Sequence, residues 1–249
     1  MYNKNIDKKE DYHNHMKDKI IIKLKAFIPQ KISNKTVLTI LTILSGLHRV
    51  RETVIRSNAA HNATALLNKK VYDPRNYIEN QNGWAAVRFG RKYSMCYSGC
   101  EIIAVCNTLR ALGKGVSAQF IVTLISAFER RGAVLGGFFG TAPYAVEKYF
   151  KENGYPVTAT DSMEREIIDE IGRKSDTVIV VAYNDKNDIM KQVHTVSITK
   201  EEDKTYSVHN AYYRVDGRYR AKSGYRTLQD AINGISGSHP ASIYVIGIG

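Results

Sequence analysis

Cysteine is scarce in this chain: three residues in 249. An odd, small number argues against a disulfide framework and suits a reducing compartment. Cys96, Cys100 and Cys106 also lack the paired Cys-x-x-Cys spacing of structural zinc sites, so neither a metal nor another cofactor is expected. Long apolar runs are missing. The longest covers residues 36–47 and is broken by threonines and a serine, whereas a membrane span needs about twenty residues. The first residues, Met1-Tyr2-Asn3-Lys4-Asn5-Ile6-Asp7, are polar and carry no secretory signal. The Asn34-Lys35-Thr36 and Asn62-Ala63-Thr64 matches to the glycosylation pattern are therefore read as chance, and the expected location is cytoplasmic. Acidic residues are also short, 24 against 36 basic ones, for a formal charge of +12. Such a surface attracts acidic peptides, anionic membranes or nucleic acids. No arginine-rich tract or nucleic-acid motif accompanies the charge. The nearest approach is the set Tyr206, Tyr212, Tyr213, Tyr219 and Tyr225 among Arg214, Arg218, Arg220 and Arg226, so nucleic acid is not the expected partner. No internal repeat is present.

The residues that are present divide the chain in two. Residues 1–68 read as a basic, helical extension. Lysines alternate with isoleucines over 17–27, Pro29 breaks the run, and Ser33 or Asn34 caps a helix predicted to reach residue 57. Val37, Ile40, Leu41, Leu44, Leu47 and Val50 follow helical spacing. This amphipathic basic stretch, residues 18–57, either packs on its own domain or touches a membrane surface. Residues 71–76 are turn-rich and mark the boundary of a second unit, 69–249. There the spacing predicts helices over 100–112, from about 117 to 131, over 142–153 with Thr141 as its cap, and from 161 or 162 to 174. Strands are predicted over 155–160 and 177–183, around His194 and Val208, and over 242–248, with a short helix at 228–233. Helices come first and strands mostly later, which is an α+β order. The glycine-rich segment 132–140 reads as an interhelical loop, or as one rim of a cleft.

Cys100 is the residue of most interest. The run Tyr97-Ser98-Gly99 leads into it as a turn, and an apolar helix follows. A thiol at a helix start meets free amide donors and the positive end of the helix dipole, both of which favour thiolate. Cys106 falls on the buried stripe of the same helix, and Cys96 lies in the preceding loop. Downstream, residues 193–199 and 205–211 alternate polar and apolar about the charged turn Lys200-Glu201-Glu202-Asp203-Lys204. A hairpin centred on Glu202 pairs Ile198 with Tyr206, Val196 with Val208 and His194 with Asn210. Directly opposed side chains sit about 4.5–5.5 Å apart at Cβ. The other face, with Thr195, Ser197, Ser207 and His209, is expected to meet solvent. His194 would serve as general base and acid, Asn210 would orient the imidazole, and backbone amides at the helix start would hold the oxyanion.

Gly99-Cys100 with its helix, then a strand opening on His194, then a strand ending in Asn210, resembles the papain-like cysteine peptidases. The nearest branch is the stand-alone relatives of the peptidases that cleave bacteriocin leaders after a double glycine. The resemblance covers roughly residues 75–249. It implies a papain-like α+β fold, with Cys100 as nucleophile, His194 as base, Asn210 as orienting residue, and a peptide or protein as substrate. There are two departures. The leader-processing branch usually has aspartate where Asn210 stands, and the family glutamine, some six residues before the nucleophile, is replaced by Ser94. The expected function is a thiol peptidase or related thiol acyl-transfer enzyme. The alternative is a papain-like binding module, catalytically weak or inactive, that works through its basic N-terminal helix.

Overall fold

The computed structural model describes residues 33–47, 49–68, 71–183, 193–235 and 242–249. Residues 18–32 of the basic segment lie outside these. From residue 33 two helices follow, α1 (Asn34–Gly46) and α2 (Glu52–Asn68), where the spacing predicted one. Ser33 caps α1, its Oγ accepting from the Thr36 N–H at 3.3 Å. Ser45 and Gly46, both weaker helix formers than alanine or leucine, precede the break, and Leu47 is extended. Val37 and Leu38 of α1 and Ile55 and Leu66 of α2 belong to the same apolar core as the later helices. Asn62 locks α2 onto the next segment: its side chain exchanges two hydrogen bonds with the Arg88 backbone, at 2.7 and 2.9 Å, as a neighbouring strand would.

A 3-10 turn (Gln81–Trp84) and a small hairpin, β1 (Arg88–Phe89) with β2 (Tyr93–Ser94), lead into α3 (Met95–Ser98), α4 (Cys100–Ala111) and α5 (Ala118–Arg131). Ser117 caps α5. A tight turn (Val134–Gly137), with Leu135 and Gly136 in the left-handed region at φ 49° and 68°, and α6 (Pro143–Glu152) complete the helical part. Thr141 does not cap α6. Ala142 holds that position without a side-chain bond, and Pro143 opens the helix. Next come β3 (Val157–Thr160), α7 (Arg165–Lys174), β4 (Thr177–Tyr183), β5 (Val193–Lys200) and β6 (Tyr206–His209). They are followed by the hairpin β7 (Arg214–Val215) and β8 (Arg218–Tyr219), then β9 (Lys222–Tyr225), α8 (Leu228–Asn233) and β10 (Ser242–Ile248). Helix α7 starts later than the spacing predicted, because Thr160 and Ser162 side chains hold residues 162–164 in turns ahead of it.

The architecture is α+β. Six strands pair antiparallel in the order β3-β10-β4-β5-β6-β9. Alternation along β4 divides the core. Ile179 and Val181 join the cluster built by α4, α5 and α6, and Val178, Val180 and Ala182 join Ile168, Leu228 and Ile232 of α7 and α8. The sheet is thus covered on both faces. Each fully buried isoleucine in these layers contributes about 2 kcal/mol of transfer free energy. Among the described residues no helix is long and apolar enough to cross a membrane.

Candidate active site

The nucleophile candidate sits at a joint between two helices. Gly99 ends α3 and caps α4, and a Cβ there would lie 2.6 Å from the Met95 carbonyl oxygen and from Met95 Sδ. Only glycine lets the chain pass this close, and the turn leaves Cys100 as the first residue of α4. Cys100 is buried, 7% exposed. Its thiol donates to Glu101 Oε2 at 3.3 Å. Burial and then the neighbouring Glu101 carboxylate push the thiol well above its ordinary pKa, while the N–H and hydroxyl of Thr195 face the sulfur and oppose them. The sulfur therefore lies against the His194–Thr195 peptide. Glu101 is itself buried, and burial raises its carboxyl to about 7 against the hydrogen bonds that favour its charge. It lies beneath Gly140, whose φ is +70° and whose Cβ would fall 2.7 Å from Glu101 Oε2. The Thr141 N–H faces the same carboxylate. Glu101 thus joins the start of α4, the glycine-rich segment and the start of β5.

The β5–β6 hairpin does not have the predicted register. Ile198 pairs with Val208 and Lys200 with Tyr206, two residues away from the expected partners. The cause is the turn. Glu201 N–H bonds to the Thr205 carbonyl, Lys204 N–H bonds back to Glu201, and Lys204 takes φ +67°. The loop is therefore three residues centred on Asp203, closed by a left-handed residue. Extended to His194, this register points at residue 212, and the Tyr212 ring stacks on His194 with centroids 5.0 Å apart. Thr195 and Ser197 are buried rather than solvent-facing because α4 packs along β5 on that face. On β6, Ser207 and His209 are buried too, His209 against Tyr77 and Glu79.

Asn210 still reaches His194, but through its backbone. His194 Nε2 lies 2.7 Å from the Asn210 carbonyl oxygen. A carbonyl only accepts, so Nε2 carries the proton and Nδ1 is the basic nitrogen. Burial pulls the imidazole below its ordinary pKa, opposed by this hydrogen bond. Asn210 is buried with φ +59°, a conformation that asparagine tolerates better than most residues. Its side chain turns to Gln81: Nδ2 donates to Gln81 Oε1 at 3.1 Å, and Oδ1 accepts the Gln81 N–H at 3.2 Å. Gln81 Nε2 donates to the Cys96 carbonyl at 3.0 Å.

Gln81 is the residue that sequence reasoning missed. It stands nineteen positions before Cys100 and is carried in by the 3-10 turn that stacks on α3. The six-residue spacing led instead to Ser94, which lies on β2 and whose carbonyl is the acceptor for Ser98 Oγ. Glu79 was also missed. It accepts the Asn210 N–H at 2.8 Å and pairs with His209 Nδ1 at 2.6 Å, while His209 Nε2 meets Thr199 Oγ1 at 2.9 Å and Tyr77 stacks on the ring. Two residues before Gln81, Glu79 holds the backbone whose carbonyl receives His194 Nε2. The only signal for either residue in the sequence is the turn-forming Asn80-Gln81-Asn82-Gly83 itself.

The structure thus gathers His194, Asn210, Gln81 and Tyr212, and it sets the Cys100 sulfur against the peptide that follows His194. It forms no hydrogen bond between that sulfur and the His194 ring. Tyr93, Tyr97 and Phe138 cluster beside the α3–α4 joint, with ring centroids 5.6 to 6.2 Å apart. Cys106 is buried and its thiol is pushed up to about 12. Among the described residues no three His, Cys, Asp or Glu side chains are placed to hold a metal ion. Comparisons with protein-family models, with curated proteins and with solved structures each returned no match.

Proposed function

We propose that the protein is a thiol peptidase, or a related thiol acyl-transfer enzyme, of papain-like type, acting on a peptide amide. The observation that carries the reading is the His194–Asn210 contact: it leaves Nδ1 as the base, on the strand against which the Cys100 helix packs. In the proposed cycle the Cys100 side chain turns from Glu101 toward His194, and Nδ1 takes the thiol proton. The thiolate attacks the carbonyl carbon. The oxyanion forms beside the Cys100 N–H and the Gln81 amide, the latter freed from the Cys96 carbonyl. The C–N bond breaks as His194 returns its proton to the leaving amine, leaving a thioester on Cys100. Water or an acceptor amine, deprotonated by His194, then releases the acyl group and restores the thiol. Asn210 acts as a positioning residue through its carbonyl, and Tyr212 covers the imidazole.

A second reading, a papain-like binding module without catalysis, draws support from one observation. The thiol is neutral and bonded to Glu101, not to His194. Labelling with iodoacetamide at pH 6 to 7, followed by mapping of the modified cysteine, separates the two. Preferential modification of Cys100 that is lost in His194→Ala supports the enzyme. Equal, slow modification of Cys96 and Cys100 in both proteins supports the module.

A further inference from the structure

A groove of about 1050 Å3 runs between residues 71–84 and the β7–β8 hairpin. It shares a wall with the candidate active site. Tyr77 on its side stacks on His209, Glu79 holds the Asn210 N–H, and Arg214 stands two residues after the Tyr212 that covers His194. Its charge is one-sided. Arg214, Arg218 and Arg220 line it, all three are exposed, and none makes an ion pair among the described residues. The two acidic residues that line it are already engaged. Asp73 pairs with Arg75 at 3.1 Å, and Glu79 pairs with His209 at 2.6 Å. Three exposed guanidinium groups thus line the groove, its two lining carboxylates are engaged by Arg75 and His209, and Asp216 in the hairpin turn is not part of the lining. The groove is placed for an anionic ligand.

We propose that this groove binds an acidic stretch of the peptide substrate on one side of the reacting bond, with Arg218 and Arg220 receiving its carboxylates; the proposal rests on the peptide-directed reading of the site. The groove's aromatic rings separate this ligand from a single-stranded nucleic acid. Nucleotide bases need open ring faces. Here the Arg214 guanidinium lies over Tyr219 at 4.6 Å, Arg110 lies over Tyr72 at 5.4 Å, and Tyr77 is stacked on His209 at 4.0 Å. Carboxylates need only the free edges of the guanidinium groups. The chain's excess of positive charge draws such a peptide toward the groove at low salt.

The test is direct binding by the full chain, followed by fluorescence anisotropy, with a fluorescein-labelled peptide of alternating Gly and Glu and its Gly–Lys counterpart. The acidic peptide should bind saturably and the basic one should not. Arg218→Gln/Arg220→Gln should weaken binding about tenfold, as expected for the loss of two exposed charge pairs, and 300 mM NaCl should weaken it further. Binding does not require the thiol, so Cys100→Ala should bind as the unaltered chain does. Failure of the peptidase reading is seen in the labelling experiment and leaves this result intact. The proposal is overturned by an absence of saturable binding, by equal binding of the lysine peptide, or by unchanged affinity in the double variant. It is also overturned if a single-stranded oligonucleotide displaces the acidic peptide at lower concentration and loses its own binding in the same variant.

Discussion

Glu129→Gln should change how the stability of this protein depends on pH. Glu129 lies on α5, buried beneath α2 and the β1–β2 turn. Its Oε1 accepts from Asn58 Nδ2 at 2.6 Å and from the Gly90 N–H at 2.8 Å, while Oε2 has no partner among the described residues. Burial outweighs those bonds and raises its carboxyl from 4.5 to about 7. The folded chain therefore holds a proton that the unfolded chain has released, and stability falls as pH rises from the unfolded pKa through the folded one. With about 1.4 kcal/mol per pKa unit, the folded state loses roughly 2 to 3 kcal/mol between pH 5 and pH 8 through Glu129 alone. Glutamine keeps the Oε1 acceptor and never ionises. Its extra N–H2, set where Oε2 is unpaired, costs about 1 to 3 kcal/mol, but that cost is the same at both pH values and cancels in the difference. Glu101, also raised to about 7, contributes a parallel loss that the variant keeps. Urea unfolding followed by the fluorescence of the single, buried Trp84 at pH 5 and pH 8 measures both proteins. The variant should lose markedly less stability on going to pH 8. Equal losses would refute the assignment of a neutral, buried Glu129.

Glu101→Gln removes the carboxylate that raises the Cys100 thiol, so the pH profile of Cys100 alkylation should move to lower pH; a profile that stays in place means the 3.3 Å contact does not hold the thiol neutral. Asn210→Ala keeps the carbonyl that receives His194 Nε2 but loses both side-chain bonds to Gln81. Its Cys100 alkylation should therefore fall less than in His194→Ala, and equal loss would show that the orienting group is the side chain. Glu79→Ala strips partners from His209 Nδ1 and from the Asn210 N–H, so thermal or urea unfolding should show a loss of about 2 to 3 kcal/mol; a loss below about 0.5 kcal/mol would mean the clasp is not formed.

The elements set by local chemistry were legible in the sequence. The apolar stripe of α4, the Ser117 cap, Pro143 at the start of α6, and the β-branched run of β4 each follow from side-chain spacing or from a single terminal residue. The sequence also set His194 beside Asn210, and the structure joins them through the Asn210 carbonyl instead of its side chain, with the Cys100 thiol bonded to Glu101. What the chain could not reveal one residue at a time is how those pieces meet. A turn centred on Asp203 instead of Glu202 moves every cross-strand partner by two positions, and the choice rests on Lys204 accepting a left-handed φ. Which polar face of β5 is buried depends on where α4 lies, and α4 covers the hydroxyl-bearing one.

The same distinction runs through the site. Sequence by itself determined that a thiol would begin a buried helix, because glycine before it and apolar residues after it leave few alternatives. Only the tertiary structure decided what surrounds that thiol. Glu101 is buried beside it because Gly140 leaves room for the carboxylate, and Gln81 reaches Asn210 from a turn nineteen residues away from Cys100. These are contacts between segments with no periodic relation in the chain. Their energy comes from burial and hydrogen bonding that exist only once the helical part has closed on the sheet.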